Sequence, residues 1–274
     1  MTGTGTQADP YIVDTWPDFV AAVGTSGAYV EVVPGAVWDA NDIAPEGMPT
    51  VNVNAVHIDG KGLEIKNARI DQICFDCLST TASGVTIENI SVTNFLASSP
   101  VIYKRGTYSL YFKNLILSGK QTSGNTIYHY AGNSVYFNAN ADSGCGFFID
   151  YNNENDMYLM NNADNVSFRD CIFNLNGKVF LGTSSNSFRA ENCYIFGKIK
   201  ECYFNGNSSK NILNAYADVI ANGNANVAII NADKCNNVTT GTAVTDEQMR
   251  DAAYLNSIGF PIGVNQNDSE HHDY

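Results

Sequence analysis

Long apolar runs are missing from this sequence. None of its 274 residues fall in a stretch apolar enough to cross a bilayer as a helix, which takes about 20 consecutive residues. The N-terminus, "MTGTGTQADPYIV", has neither a basic segment nor an apolar one, so it does not read as a secretory signal. Cations are scarce too. There are 15 Lys and Arg against 28 Asp and Glu, for a formal charge of −13. A nucleic-acid groove needs clustered Lys and Arg to meet phosphate, and only Lys104 and Arg105 sit side by side. Acidity of this kind serves solubility. The composition therefore predicts no membrane and no nucleic-acid partner.

Catalytic signatures are also lacking. Glycoside hydrolysis needs two carboxylates across a cleft. The sequence contains no N-T-D, D-D, G-H-G or R-x-K motif, no R-x-P-x-x-R arrangement, no G-x-S-x-G and no Walker-type glycine loop. There are four His. His271 and His272 lie in a polar tail, His57 precedes a turn, and His129 reads as a surface side chain.

Cysteines number seven, an odd count. Cys74 and Cys77 make a lone C-x-x-C with no second pair at zinc-finger spacing, so no metal is expected. Cys171 and Cys193 fall at the sixth, apolar position of a recurring motif, with Cys202 a further candidate, and read as small buried hydrophobes in a reduced compartment. "DYNNENDMY" (Asp150 to Tyr158) concentrates oxygen ligands that suit Ca²⁺. It lacks the spaced glycine and closing glutamate of an EF-hand and reads as a polar loop.

What is present is a repeated octet. "LEIKNARI" from Leu63, "VTIENISV" from Val85, "LYFKNLIL" from Leu110, "VSFRDCIF" from Val166 and "FRAENCYI" from Phe188 share one form. The first and third residues are apolar and the second and fourth polar or amphipathic, which is the period of a strand with one buried face. The fifth residue is Asn67, Asn89, Asn114, Asp170 or Asn192. Asn and Asp tolerate the left-handed region and bond to nearby backbone, so they suit a corner. After the corner the apolar beat resumes with shifted phase. Each copy thus reads as strand, corner, strand. "VYFNANA" from Val135 is a weak copy and "VAIINAD" from Val227 a late one. A step of twenty-odd residues with short strands and polar corners indicates a solenoid. The corner residues Asn67, Asn89, Asn114, Asp170 and Asn192 would then stack as a ladder of side chains. The outward pairs, from Glu64/Lys66 through Thr86/Glu88 to Arg189/Glu191, predict mixed charges on the outer face rather than stacked carboxylates.

The ends read as caps for the open sheet edges. Thr15 is an expected N-cap, with Trp16, Phe19, Val20 and Val23 on one face of a helix that stops at Gly24. "YVEVV" from Tyr29 follows as a first strand, turned by Pro34–Gly35. Near the other end, Thr245 with Gln248 forms a capping box for a helix that stops at Gly259. The expected division is residues 1–40 for the arm, capping helix and first strand, 41–240 for the coil, and 241–274 for the closing helix and polar tail.

The V-x-I-x-N-C-x-F form resembles the rungs of pectin-lyase-like right-handed parallel β-helices, over some 190 residues. The resemblance implies an all-β, single-stranded, right-handed parallel β-helix (solenoid) with short N- and C-terminal capping helices. "PYIVDTWPDFVAAV", "AYVEVV" and "AAYLNSIGFPIGV" resemble segments of accessory virion proteins of phages and prophages. That resemblance implies a non-enzymatic virion protein made in the host cytoplasm, of capsid-decoration or small fibre or tail type. It implies no cofactor, a homo-oligomer (a trimer favoured), and capsid or tail subunits as partners. The alternative is a protein that binds or depolymerises host glycans. Tyrosine crowds the middle of the chain. Tyr103, Tyr108, Tyr111, Tyr128, Tyr130 and Tyr136 are the candidate contacts for a subunit interface or a glycan.

Overall fold

A computed structural model describes residues 1–78, 84–106, 108–129, 134–137, 144–151, 157–161, 166–169 and 171–177. Beyond these it describes residues 179–180, 188–191, 194–197, 201–204, 211–215, 218–221, 227–230, 242–244, 253 and 257. The chain is a β-solenoid of parallel strands with little helix. It opens with β1 (Tyr11–Val13), α1 (Trp16–Val23), β2 (Tyr29–Val32), β3 (Val37–Asp39) and α2 (Ala40–Ile43). The next coils contain β4 (Val51–Val53), β5 (His57–Lys66), β6 (Arg69–Ile70), β7 (Phe75–Cys77), β8 (Val85–Ala97), β9 (Ile102–Lys104) and β10 (Leu110–Gln121). Then come β11 (Asn125–His129), β12 (Val135–Phe137), β13 (Gly146–Tyr151), β14 (Met157–Asn161), β15 (Val166–Arg169) and β16 (Ile172–Gly177). The remaining strands are β17 (Val179–Phe180), β18 (Phe188–Glu191), β19 (Tyr194–Gly197), β20 (Glu201–Phe204), β21 (Asn211–Ala215), β22 (Asp218–Ala221), β23 (Val227–Ile230) and β24 (Thr242–Val244).

Each coil crosses three columns of strands. The octet starts stack in the first, with Val85, Leu110, Val135, Val166 and Phe188 in register one above the next. The weak copy at Val135 is therefore a true rung. The second column holds the strand after the corner and runs through Ile116, Gly146, Ile172, Tyr194 and Ile212. The late copy at Val227 belongs here, because Ala228 pairs with Ile212. The third column is a separate sheet, β4-β7-β9-β11-β14-β17-β20-β22. In β8 and β10 the strand passes the first corner unbroken, whereas β12/β13 and β15/β16 are split there.

The octet at Leu63 is out of register with the others. Leu63 pairs with Ile90 and Ile65 with Val92, so this octet occupies the second column. The reason lies upstream. In the first column β8 pairs with His57, Ile58 and Asp59, and Gly60, Lys61 and Gly62 then make a wider corner. Lys61 (φ 51°) and Gly62 (φ 87°) both lie in the left-handed region. A side chain at Gly60 would meet the Asn89 carbonyl oxygen at 2.4 Å, so the close approach requires glycine there.

The interior is apolar. Phe112, Phe137 and Phe168 stack along the first column with centroids 5.0 and 4.6 Å apart, and Phe147 lies 5.1 Å from Phe173 in the second. Edge contacts join the two stacks, Phe147 to Phe137 at 5.4 Å and to Phe168 at 5.8 Å. Cys74, Cys77, Cys145 and Cys171 are buried in this core. Burial pushes the Cys74 and Cys77 thiols up to about 12. Lys104 is a polar exception inside the core, 1% exposed. Its ammonium donates to the Gly106 carbonyl at 2.8 Å and lies 5.3 Å from the Tyr108 ring. Burial lowers its pKa to about 8.

The first helix forms where the spacing predicts. Thr15 Oγ1 accepts from the Asp18 amide, Pro17 opens the helix, and Gly24 closes it. Trp16 and Phe19 pack on Trp38, with centroids 6.0 and 5.3 Å away, and cover the first coil. The parallel ladder begins at β1, which pairs with β2 at Tyr11–Val30, so residues before 40 already belong to the coil. The N-terminal arm folds back against the β1 strand, where Thr2 and Ile12 exchange backbone hydrogen bonds of 3.1 and 2.9 Å. At the other end only Ala253 and Ser257 are described, and both are helical. The Thr245 capping box and the tail lie outside the described residues.

Candidate functional site: an acidic column and two amide ladders

The shifted first octet changes the outer face of the first column. Glu31 pairs with Asp59, Asp59 with Glu88 and Glu88 with Lys113. Three carboxylates are thus stacked on neighbouring coils, where the octet alignment predicts mixed charge. The physical cause is the wide corner at Gly60–Gly62, which puts Asp59 rather than Lys66 beside Glu88.

Each of these carboxylates is held by a cation. Lys61 Nζ lies 2.8 Å from Asp59 and 3.5 Å from Glu31. Glu88 binds His57 Nε2 at 2.8 Å and Lys113 Nζ at 3.2 Å through its two oxygens. The His57 ring rests edge-on against Tyr29 at 5.7 Å. Asp59 is 8% exposed. Burial alone would raise its pKa, but hydrogen bonds from Asn89 and Lys61, with the Lys61 charge, outweigh it and hold the carboxyl below its ordinary value. Such a group stays ionised at neutral pH and does not suit the role of general acid, which needs a raised pKa.

Asp59 also ends a ladder. Asn114 Nδ2 donates to Asn89 Oδ1 at 3.0 Å, and Asn89 Nδ2 donates to Asp59 Oδ1 at 2.8 Å. Both asparagines hold positive φ, 47° and 58°. An amide ladder is polar, since each rung donates one way and accepts from the other. A carboxylate accepts only, so it terminates the donating end.

Asn67 belongs to a second ladder at the next corner. It does not stack on Asn89, which corrects the sequence alignment. Asn94 Nδ2 donates to Asn67 Oδ1 at 2.6 Å, and Asn67 Nδ2 to Asp39 Oδ2 at 2.9 Å. Asn67 (φ 60°) and Asn94 (φ 50°) are left-handed as well. Asp39 plays the part of Asp59. The hydrogen bond from Asn67, then that from the Asn41 amide, keeps its carboxyl below the ordinary value. The sequence reading missed Asp39, Asp59 and Asn94. Their signal is a second Asn in two of the coils, Asn94 five residues beyond Asn89 and Asn67 eight beyond Asp59. Asp170 and Asn192 lie outside the described residues.

The tyrosines separate into three groups. Tyr111 and Tyr136 stack outward on the first column at 5.0 Å, and Tyr103 and Tyr128 on the third at 5.0 Å. Arg105 covers the Tyr103 ring at 4.6 Å. Tyr108 does not belong with them. It is 3% exposed, and its hydroxyl donates to the Cys77 carbonyl at 2.6 Å. Tyr130 and the side chain of His129 lie outside the described residues, as does most of the Asp150–Tyr158 loop. The described ends of that segment are strand rather than loop: Asp150 and Tyr151 close β13, Met157 and Tyr158 open β14, and Tyr151 is buried with its hydroxyl 2.7 Å from Thr126 Oγ1.

Comparisons with protein-family models, curated proteins and solved structures return no match. The site must therefore be judged on its own chemistry. On the third sheet, Asp76 is 4% exposed and bound by Arg105 Nε at 3.1 Å. Burial raises its pKa against the pull of Arg105. It sits in a different sheet from the acidic column. No cluster of His, Cys, Asp and Glu among the described residues could hold a metal ion, and no described helix is long and apolar enough to cross a membrane.

Proposed function

We propose that this chain is a non-enzymatic structural component of a phage particle, of capsid-decoration or small fibre or tail-accessory type, working as a homo-oligomer with a trimer favoured. The observation that carries the reading is the way its corners are tied. Side-chain ladders run from coil to coil parallel to the backbone ladder, and the stacked carboxylates beside them are clasped by Lys61, His57 and Lys113. This chemistry stiffens a rod and leaves faces free to dock on symmetric neighbours. The phage context comes from the resemblance of the terminal segments to accessory virion proteins.

Mass spectrometry of purified particles from cells that carry the gene tests this reading. The chain should appear at a fixed ratio to the major capsid or tail subunit, and its absence would overturn the assignment. Incubation of the protein with host capsular polysaccharide separates the reading from a depolymerase. New reducing ends or unsaturated sugars would replace the structural role with an enzymatic one.

A further inference from the structure

An open groove of about 500 Å³ follows the second corner. Its lining includes the ladder residues Asn67 and Asn94 together with Arg69, Leu96 and Lys120. The last three form one column, since Arg69 pairs with Leu96 and Leu96 with Lys120. A cation, an aliphatic side chain and a cation are therefore stacked on three successive coils. Leu96 is 49% exposed, a large apolar side chain left open to solvent. No Asp or Glu among the described residues lines the groove, in a chain where acids outnumber bases 28 to 15.

The groove exists because the second ladder stops. The register of β10 against β8 shifts between Leu117 and Gly119, so β10 has no residue to place under Asn94. A side chain at Gly119 would meet the Phe95 backbone at 2.4 Å, and this coil is drawn in close. In the first ladder the Asn89 oxygen receives Asn114. The equivalent oxygen of Asn94 has no such partner among the described residues. Lys120 is also unpaired among them, although Asp150 stands on the next coil. Arg69 is paired with Asp71 at 2.7 Å, but both are more than half exposed, and such pairs exchange at little cost.

We infer that this groove is a docking surface for an acidic peptide segment of a partner protein, with an apolar residue set between two carboxylates. Charge complementarity and the order of the column argue for it. Two coils span about 9.6 Å. A helix carrying Glu, Leu and Glu at i, i+3 and i+7 spans about 10.5 Å on one face. Its carboxylates meet Arg69 and Lys120, and its leucine covers Leu96. The column favours a peptide over a sugar. Sugar rings stack on open aromatic faces, whereas the apolar wall here is aliphatic and Phe95 is only 2% exposed.

The test uses the full chain and a fluorescent alanine-based peptide with the Glu-Leu-Glu pattern, read by anisotropy at low salt. Binding should saturate below about 1 mM, the range of a weak surface contact. Lys120→Gln should weaken it about threefold to fivefold, as loss of an exposed ion pair does. Leu96→Ser should weaken it about tenfold. Both variants should keep the melting temperature of the parent. Equal binding of a Lys-Leu-Lys peptide, indifference to both substitutions, no binding at that concentration, or tighter binding of a glucuronate tetrasaccharide would each overturn the inference. None of these outcomes depends on whether the chain is found in particles.

Discussion

Asn89 serves two ends at once. Its backbone is left-handed at φ 58°, and its side chain both donates and accepts within the ladder. Alanine would lose both bonds and strain the corner, for about 3 kcal/mol in total. Glycine would lose the bonds alone. Asn89→Gly should therefore recover about 1 kcal/mol of the alanine loss in chemical denaturation. Equal losses would mean that the backbone conformation costs nothing. The aspartate at the ladder's end gives a pH signature. The folded pKa of Asp59 lies below its ordinary value. Its contribution is complete above the ordinary carboxylate pKa and disappears as pH falls through the folded value. Asp59→Asn should flatten this acid-side loss in a melting series at low pH. Lys104 has the opposite balance. Its pKa is lowered to about 8 by burial, so its charged form burdens the fold at neutral pH, and the burden lifts as pH rises from 8 toward the ordinary lysine value. The gain in melting temperature over that window should be smaller in Lys104→Met than in the parent.

Among the elements, the strands of the first column show how far periodicity reaches. Val85, Leu110, Val135, Val166 and Phe188 stack as the octets predict, because alternation of apolar and polar residues assigns each strand a buried face. Phe137 sits at the centre of this stack, fully buried between Phe112 and Phe168. Phe137→Ala should cost about 3–5 kcal/mol, and Phe137→Leu distinctly less, by urea denaturation. Helix α1 was equally legible, because Thr15, Pro17 and Gly24 are local signals that need no tertiary partner. Helix α2 was not. It has four residues and one buried side chain, Ala40, too short for any periodicity to register.

Over the whole molecule, a parallel solenoid must protect the strand that starts it. The arm does so where Thr2 bonds to Ile12. Removing residues 1–9 should expose the β1 edge and produce concentration-dependent association, measured by light scattering, with little change in the circular dichroism of the coil. A monomeric truncated chain would show that α1 alone suffices as a cap. The docking column likewise exists only once the coils are stacked, because Arg69, Leu96 and Lys120 come from three of them.

The residues alone determined the architecture. Octets with period-two alternation and a central Asn, repeated at a step of twenty-odd residues, indicate parallel coils around one apolar interior, and short-range capping signals located the first helix. Register was beyond them. The two halves of an octet look alike, with apolar residues at its first and third positions and again at its sixth and eighth, so sliding Leu63 by five residues leaves every apolar side chain inside. Only the packed coil could choose. The wide corner at Gly60–Gly62 placed Leu63 against Ile90, split the asparagines into two ladders and stacked Glu31, Asp59 and Glu88 on one face. Tyr108 met the same limit, turned inward by a hydrogen bond to the carbonyl of Cys77, one coil away in space and 31 residues away in sequence.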